Sequence, residues 1–404
     1  MANVLVTPTI IANEAIMQLE NNLVMGQNVH LDYKKEFVKI GQSVSIRKPV
    51  KFEAISGTTR QHQDVQEGTF SLSIDQHFHT SWGFSAVDLT LTVEQYNERY
   101  ISPATIVLAN KVDLSLAGLY SSLWASGGTP GTTPNTFAAL GNQAALMDDM
   151  AVPDDGRRKL VLNPRSRWAM ADGLKGIFDA AMAKDMIRKG LLGKLANFEL
   201  YGDQNIRRHT NGVHGGTPLV DAPVATSNST PQATSQTLHI DGATASQANW
   251  AKAGDVFTIA DVYDVNPVSK ETTGSLKQFV VVDTVTSGAG AGDTDLTISP
   301  AIVTSGPYQN VSAIHVDGAA ITFVGSPSVV YPQNLAYHRN ALALVFVPLE
   351  LPDSVNFKAR TQHEGYSLTV VKDYDIDNYE EVIRVDERFG VKAIYPDTGT
   401  RLWG

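Results

Sequence analysis

The sequence has no cysteine, few basic residues and no long apolar run, and each absence excludes a class of protein. Without cysteine there is no disulfide framework and no thiolate metal site. The 32 basic residues are outnumbered by 42 acidic ones, and the net charge of −10 opposes a groove that follows a nucleic-acid backbone. No apolar run approaches the ~18 residues that a membrane helix needs. The opening stretch MANVLVTPTIIANEAIM lacks a basic region and a small-residue cleavage site, so no secretory signal is predicted.

What remains is the composition of a globular protein. Apolar residues make up 43% and charged residues 18% of the 404 positions, which indicates folded rather than disordered structure. A chain of this length is expected to form two or three domains with well-buried cores. We therefore expect a protein that is made in the cytosol and remains soluble there.

Two helices are predicted in the first third of the chain. Residues 1–35 carry apolar side chains at helical spacing behind Pro8, and a helix start tolerates proline. A longer helix is predicted to begin at Ser102, a good N-cap. Its apolar steps of three and four residues continue for roughly six turns, or ~35 Å, until Gly127 and Gly128 end the pattern.

A long alternating pattern lies between these helices. In TFSLSIDQHFHTSWGFSA (69–86), apolar side chains occupy even positions over about 17 residues, well beyond the ~5–6 residues of an ordinary strand. One interpretation is two ordinary strands with a kink near Gln76–Thr80. The other is an extended hairpin arm, with the polar tip SGTTRQHQDVQEG (56–68), that packs on neighbouring subunits. The apolar positions are Phe70, Leu72, Ile74, Phe78, Trp82, Phe84 and Ala86.

Residues 133–182 predict alternating helices and strands. The stretch TPNTFAALGNQAALMDDM (133–150) has the apolar spacing of a helix, and KLVLN (159–163) is typical of a short buried strand. A second helix is predicted from apolar residues at Trp168, Leu174, Ile177, Phe178 and Met182.

Residues 221–330 differ from both flanks in composition. They are rich in Thr, Ser, Ala, Gly and Val, and they contain no Arg. Three lysines against ten acidic residues give this stretch a net charge of −7. Short runs typical of strands (DVFTIADV, KQFVVVDTV, TDLTIS and AITFVG) are separated by Gly, Pro and Asp turns. We therefore predict a small all-β barrel or sandwich, inserted as a separate domain into the host fold.

The last seventy residues are predicted to be mostly extended. The stretch NLAYHRNALALVFVPLELPDS (334–354) is predicted to begin with a helical piece. Three strands, YSLTVV, EEVIRVD and VKAIY, follow it, and a tight turn comes after the last of them. The final residues form an extended arm, and we expect Leu402 and Trp403 to be covered, partly by another chain.

No catalytic or metal-binding constellation is found, so we expect neither enzyme activity nor a cofactor. His77 and His79 share one face of a strand and, with His62, offer zinc ligands, but no Cys or close carboxylate completes the set. Solvated or interface histidines are the favoured interpretation. GAGAGD (288–293) resembles a phosphate-binding loop but precedes a strand, which favours a hairpin loop. The acidic pairs at 148–149 and 154–155 are interpreted as a helix end and a capped turn rather than acid–base pairs.

The order of these elements resembles that of the major capsid (coat) protein of tailed double-stranded-DNA phages. That family shares its fold, called the Johnson fold, with herpesvirus capsids. Three stretches are similar to the podovirus branch, whose members carry an inserted β-barrel domain. They are LANFELYGDQNIRRHTNG (195–212), ahead of the insertion, NLAYHRNALALVFVPLELP (334–352), where a helix resumes, and the closing strands YDIDNYEEVIRVDERFGVKAIYPDTGTRLWG (374–404). The resemblance implies an α+β fold with an inserted all-β barrel.

The resemblance also implies five regions. These are an N-terminal arm (1–35), an extended loop (36–88), a peripheral domain with its spine helix (89–127 and 353–404), an axial domain (128–221 and 331–352) and the inserted barrel (222–330). Some members of the wider family crosslink a Lys to an Asn, but no motif here supports such a crosslink.

A structural function follows from the resemblance. Subunits are expected to form pentamers and hexamers, and then an icosahedral head around packaged double-stranded DNA, assembled in the host cytoplasm. The expected partners are further copies, a scaffolding protein, a portal and in some cases a decoration protein, without a membrane. A long apolar-faced hairpin needs a partner surface of the large, obligate kind. The residues predicted to lie at subunit interfaces are Phe70, Leu72, Ile74, Phe78, Trp82, Phe84, Leu402 and Trp403.

Two alternatives stay open at this point. One is a β-rich virion decoration or a receptor- or carbohydrate-binding module, with residues 221–330 as its active part. The missing secretion signal and the long helix beginning at Ser102 argue against it. The other is a hydrolase with a β accessory domain, which no group of residues supports.

Overall fold

The computed structural model describes residues 8–31, 43–60, 62, 67–85, 97–174, 193–221, 234–290, 292–351, 355, 357–375 and 380–404. Contacts between residues divide the chain into two compact units. The first unit combines Met1–Ile46, Ser71–Ala117 and Leu342–Lys392, and the second combines Arg47–Phe70, Gly118–Ala341 and Ala393–Gly404. Each unit mixes helices with strands, which confirms the predicted α+β class.

The described residues of the first unit form two α-helices. Helix α1 (Pro8–Asn22) confirms the predicted helix, and its apolar stripe is buried. Helix α2 (Ser102–Ala117) continues a π-helical turn, Asn97–Ile101, so Ser102 is not the predicted N-cap. Its 16 residues span ~24 Å, and a 3-10 turn (Gly118–Ser122) follows. Among the described residues, no helix combines the length and the apolar character needed to cross a membrane.

A buried carboxylate joins the two helices. Asp113, on α2, accepts hydrogen bonds from the backbone N–H groups of Val24 (2.8 Å), Met25 (3.1 Å) and Gly26 (3.0 Å). Buried amides without a partner are costly, so a single carboxylate that satisfies three of them fixes the segment after α1 against α2.

A five-stranded sheet completes the first unit. Its strands are β3 (Gln76–Ser85), β17 (Leu342–Phe346), β18 (Phe357–His363), β19 (Tyr366–Asp375) and β20 (Glu380–Ala393). Their order is β17-β20-β19-β18, and β3 pairs along β20. The prediction of two separate strands at EEVIRVD and VKAIY is wrong, because β20 runs unbroken through both stretches. The tight turn predicted after them is present as the 3-10 turn Pro396–Thr398. Gly390 lets the Ser73 carbonyl approach rather than forming a turn: a Cβ at Gly390 would lie 2.2 Å from that oxygen.

The alternating pattern forms two strands, as in the first of its two interpretations. Strand β2 (Thr69–Ser73) forms a two-stranded ribbon with β1 (Ser43–Arg47), and β3 joins the five-stranded sheet. The break lies at residues 74–75, ahead of the predicted kink at Gln76–Thr80. Even positions from 70 to 82 are buried or half-buried and odd positions are exposed, so the alternation continues across the break.

The host part of the second unit contains a six-stranded mixed sheet and a separate pair of strands. The strands are β4 (Ser126–Gly127), β5 (Arg158–Leu162), β6 (Lys194–Leu195), β7 (Phe198–Gly202), β8 (Arg208–Thr210), β15 (Val330–Pro332), β16 (Asn334–His338) and β21 (Gly399–Leu402). The order of the sheet is β4-β21-β16-β5-β7-β6, and the separate pair joins β8 to β15. Strand β5 confirms the short buried strand predicted at 159–163.

Two α-helices within the described ranges 118–174 and 193–221 accompany this mixed sheet. Helix α3 (Phe137–Asp149) confirms the first predicted helix, and Thr136 caps it by accepting from the Ala139 N–H. Helix α4 (Pro164–Leu174) is the start of the second. Its predicted continuation through Ile177, Phe178 and Met182 lies outside the described residues.

The helical piece predicted at 334–354 is wrong. Its residues form β16 in the second unit and β17 in the first, and every residue of both strands is buried. Alternation is lost in a strand that is buried on both faces. A short apolar run of this kind therefore cannot be told from a buried helix by its periodicity.

The inserted domain is a six-stranded antiparallel barrel. Its strands are β9 (Gly216–Val220), β10 (Gln236–Ala243), β11 (Val256–Val265), β12 (Thr272–Val281), β13 (Thr294–Ser299) and β14 (Ile321–Phe323). Their order is β14-β11-β12-β13-β10-β9, and an antiparallel bridge between Leu219 and Ala320 closes the barrel. All four predicted strand runs are present, while β9 begins ahead of residue 222. Trp250, Phe257 and Phe279 are fully buried in the core of the barrel.

Candidate assembly site

The longest unbroken run of exposed residues in the described part of the chain lies between strands β1 and β2. Residues 51–60 have every side chain exposed and no regular secondary structure. Two of these side chains are large and apolar: Phe52 is 64% exposed and Ile55 is 44% exposed. The tip continues to residue 68, although 61 and 63–66 lie outside the described residues. An exposed polar segment that carries two large apolar side chains has the composition expected of an interface element.

The root of this segment is held at several points within the second unit. The Lys48 N–H donates to the Gly68 carbonyl at 2.7 Å, and the Arg47 guanidinium lies 2.8 Å from the Glu67 carboxylate. The Lys51 N–H donates to the Tyr308 hydroxyl at 3.1 Å. The root is therefore fixed, while the residues beyond it are uncovered.

Three of the predicted interface residues are buried by the chain itself. Phe70, Leu72 and Ile74 are 7%, 0% and 4% exposed. The Phe70 ring packs edge-on to Tyr395, with ring centroids 6.5 Å apart. This burial within the single chain does not test contact with a second copy, so an interface role for these three residues stays a prediction.

Leu402 and Trp403 are also buried by the chain itself, at 1% and 4% exposure. Strand β21 lies between β16 and β4, and the Trp403 N–H donates to the Gly127 carbonyl at 2.9 Å. Gly128 has a φ of +86°, and a Cβ there would lie 2.4 Å from the Trp403 carbonyl oxygen. The second unit itself buries both side chains, and the predicted contribution of another chain stays a prediction.

The remaining predicted interface residues keep some free surface. Phe78 and Trp82 are half-buried on β3, which pairs along β20 through Glu387 and Ile383. The Phe78 ring lies 5.8 Å from that of Phe389, centroid to centroid. The side chain of Phe84 lies outside the described residues. An interface role therefore stays a prediction for Phe78 and Trp82.

A buried polar cluster lies where the barrel meets the host part of the second unit. The Asp255 carboxylate accepts from His209 Nε2 at 2.6 Å and from His214 Nε2 at 2.8 Å. The backbone N–H of Lys252 also donates to it, at 2.6 Å. Burial acts to raise the pKa of Asp255, but the hydrogen bonds from His209 and His214 outweigh it and hold the pKa well below its usual range. The carboxylate is therefore ionised and fixes both imidazoles.

Tyr120 and Arg401 extend the cluster. The Tyr120 hydroxyl lies 2.9 Å from His209 Nδ1, and burial raises the pKa of that hydroxyl. The Arg401 guanidinium lies 5.2 Å from the Tyr120 ring centroid and donates to the Gly254 carbonyl at 2.7 Å. Burial lowers the pKa of Arg401 to about 10, so it stays charged at neutral pH. A Tyr–His–Asp chain of this kind clamps the residues just ahead of β11 to the host fold.

The candidate chemical residues have structural roles. His77 Nε2 lies 3.0 Å from Asp386, and its ring centroid is 6.5 Å from that of His79, while His62 is exposed on the tip. Within the described residues, the one His/Asp/Glu group with metal-ligand spacing is Glu20, His363 and Glu364. It is largely exposed, and such groups are common without an ion.

The glycine loop and the acidic pairs also serve the fold. GAGAGD connects β12 to β13, with Gly290 and Gly292 at φ of +80° and +81°. Asp148 lies 2.6 Å from the buried Arg158 guanidinium, and Asp155 accepts from His338 at 3.1 Å. These residues stabilise a helix end and a turn, as the sequence indicates.

Sequence reasoning missed the Asp255 cluster and the two apolar residues of the exposed segment. His209, His214 and Asp255 follow no motif spacing, so no local signal identifies them. Phe52 and Ile55 do leave a signal, because they are large apolar residues three apart beside a stretch of thirteen mostly polar positions.

Comparisons with known proteins agree with the expected family. The family described as P22 coat protein, gene protein 5, matches residues 1–404. The major capsid protein of Acyrthosiphon pisum secondary endosymbiont phage 1 is 22% identical over 383 residues, covering 90% of this chain and 89% of that protein.

Solved structures also resemble this chain. One from Mycobacterium phage Che8 has a TM-score of 0.46 and 14% identity, and covers 94% of this chain and 90% of its own. The CUS-3 coat protein I-domain is 27% identical with a TM-score of 0.20, covering 27% of this chain and 94% of its own.

The family match extends over every part of the sequence, including the arm, the barrel and the closing strands. The chain therefore belongs to the P22 coat protein family and is a major capsid protein, a non-enzymatic structural component of the phage head.

Proposed function

We propose that residues 48–68 form the arm through which one copy of this coat protein contacts the next in pentamers and hexamers of the head. The observation that carries the proposal is the exposure of Phe52 and Ile55 on a segment whose every described side chain from 51 to 60 is exposed. Large apolar side chains that the subunit leaves in water favour burial against another copy, and each contributes about 1.5–3 kcal/mol when fully buried. A head-to-tail contact of this kind closes into rings.

The five regions implied by the family resemblance form part of the same proposal. The first unit contains α2 and the five-stranded sheet, which supports their assignment to the peripheral domain and its spine helix. We assign the helices and mixed sheet of the second unit to the axial domain and the barrel to the insertion, and the unit boundaries at Leu342 and Ala393 differ from the expected region boundaries. Phe78 and Trp82, on the outer strand β3, are then candidates for a second contact between copies.

The proposed partners beyond further copies are a scaffolding protein, a portal and packaged double-stranded DNA. The net charge of −10 supports a shell that repels DNA phosphates, because a basic lining would hold DNA that must move during packaging. The acidic, Arg-free composition of the barrel argues against a DNA-binding role for that domain in particular.

The arm is tested by a double substitution, Phe52→Ser with Ile55→Ser. We expect folded monomers with unchanged thermal stability, because both side chains are exposed, and a loss of shells by negative-stain microscopy when scaffold is supplied. Deleting Ser56–Gly68 should have the same effect. The control is Val316→Ser, which removes an apolar side chain 63% exposed on the barrel and should assemble normally. Shells of normal number and size from the double variant would show that the arm is not the contact.

A further inference from the structure

We propose that loop 303–310 of the inserted barrel is the seat that fixes where the arm leaves the subunit, with Tyr308 as its positioning residue. The proposal rests on the proposed role of residues 48–68 as the assembly arm. Its main observation is the 3.1 Å hydrogen bond from the Lys51 N–H to the Tyr308 hydroxyl. Lys51 immediately precedes Phe52, so this contact holds the chain at the point where the uncovered segment begins.

The seat is rigid because it is closed by its own hydrogen bonds. The Asn310 side chain accepts from the Val303 N–H at 2.9 Å and donates to the Ala301 carbonyl at 2.8 Å. The Asn310 N–H donates in turn to the Val303 carbonyl at 3.0 Å. Three bonds across the neck of the loop leave little freedom for the residues between them, so Tyr308 presents its hydroxyl in a fixed position.

The tip of the β11–β12 hairpin braces the seat from outside. The Lys270 ammonium donates to the Pro307 carbonyl at 2.7 Å, on the residue that precedes Tyr308. On the same tip, the Asn266 side chain donates to the Asp149 carbonyl at the end of α3, 2.9 Å away. The contacts run without interruption from a helix of the host fold, through the barrel, to the arm.

A second contact and a cavity lie at the joint, the place where the root of the arm meets loop 303–310. The Lys51 ammonium lies 3.7 Å from the Asp397 carboxylate, on the 3-10 turn Pro396–Thr398. Both side chains are over 40% exposed, so this pair stabilises the joint little. A cavity of about 250 Å³, lined by Pro49, Tyr308 and Tyr395 among others, lies between root, seat and turn. The root is thus held at a few points rather than packed along its length, and the direction of the arm depends on those points.

This arrangement gives the inserted barrel a role in assembly that does not require the barrel to touch another copy. A rigid seat sets the angle of the arm in each subunit before any contact forms. A subunit without the seat should keep its arm, including Phe52 and Ile55, but the direction of the arm should vary from one subunit to the next. Shells would then form with irregular curvature rather than fail to form.

Hydrogen exchange at the Lys51 amide tests the seat directly, because that amide is the donor of the hydrogen bond on which the proposal rests. In the intact chain before assembly, we expect Lys51 to exchange more slowly than the amides of residues 53–60. Tyr308→Phe keeps the ring and removes the acceptor, and should speed exchange at Lys51 about three- to tenfold. The matched control, Tyr263→Phe, makes the same change at an exposed ring of the barrel and should leave Lys51 unchanged.

The proposal would be overturned if the Lys51 amide exchanged at the same rate in Tyr308→Phe as in the unmodified chain. It would also be overturned if Tyr263→Phe accelerated that exchange as much as Tyr308→Phe does. Micrographs of Tyr308→Phe assembled with scaffold should show irregular shells, and regular shells of the usual diameter would also count against it. The two proposals fail separately. If deleting Ser56–Gly68 leaves shells normal, the arm is wrong, while the exchange rate still decides whether Tyr308 holds Lys51.

Discussion

Glu387 is a buried carboxyl group that should make the stability of this subunit depend on pH. It lies on β20 among the buried residues Ile383, Val385 and Phe389, and neither carboxyl oxygen has a hydrogen-bond partner among the described residues. Burial raises the pKa of Glu387 to about 8. At neutral pH the folded subunit therefore holds this carboxyl mainly in its protonated form, while the unfolded chain has lost that proton.

The sign of the resulting pH dependence follows from linkage. Because the folded pKa lies above the ordinary value of 4.5, the folded state binds the proton more tightly. The free energy of unfolding should decrease as pH rises from about 5 to 8, by at most about 1.4 kcal/mol per pH unit. Glu387→Gln cannot ionise and should lose this slope, as measured by urea unfolding of the monomer across that range.

Glu364→Gln is the control for Glu387, since Glu364 is exposed at a turn and its substitution should retain the slope of the unmodified chain. If Glu387→Gln and the unmodified chain show parallel pH profiles, Glu387 is not the group that titrates. Because this pH dependence of the free energy of unfolding comes from one side chain, Glu387→Gln should remove it without altering the structure of the arm or of the barrel.

At the scale of elements, Gly390 decides how β20 passes the end of β2. A Cβ at residue 390 would lie 2.2 Å from the Ser73 carbonyl oxygen, closer than real Cβ atoms approach. Gly390→Ala should therefore force the two backbones apart and lower the free energy of unfolding by about 1–3 kcal/mol.

The matched control for Gly390 is Gly141→Ala, within helix α3, where a Cβ meets nothing within 4 Å. Replacing a helical glycine with alanine should raise stability by about 0.5–1 kcal/mol. Opposite signs for the same substitution, measured by chemical unfolding of the monomer, are expected. Equal effects would show that the close approach at Gly390 does not stabilise the fold.

Whether the sequence predicts an element correctly depends on how far the element buries both faces. Helix α1 and the barrel strands have exposed positions that reveal their periods, whereas the buried strand β5 is identified by its short length and the turn residues around it. The strands within 334–346 are buried on both faces, and the helix predicted there is wrong because the apolar run has no period. The break predicted between EEVIRVD and VKAIY is absent for another reason: Gly390 makes room for the Ser73 carbonyl, a tertiary contact that no local signal records.

At the scale of the molecule, the sequence predicts the order of the regions better than it predicts which of their side chains are exposed. Composition alone separates residues 221–330, since this stretch has no Arg and a net charge of −7. The predicted interface residues follow from apolar alternation, which marks burial but not its partner. Phe70, Leu72, Ile74, Leu402 and Trp403 are covered by their own chain, while the uncovered Phe52 and Ile55 lie outside any periodic pattern.

The polar cluster around Asp255 and the seat around Tyr308 are two separate places where the inserted barrel contacts the host fold. Both are built from residues distant in sequence, so neither could be found by motif. Together they connect the inserted barrel to the residues at 120 and 401 and to the root of the arm. A domain fixed in this way is able to set the geometry of an arm that it does not itself contain.

The central claim, that an exposed arm on a seated root joins copies of this coat protein into the head, is tested most directly by cryo-electron microscopy of the assembled particle. We predict that Phe52 and Ile55, exposed in the single subunit, are buried against a neighbouring copy, with Lys51 still bonded to Tyr308 of its own chain. A particle in which Phe52 and Ile55 remain in solvent would contradict the account.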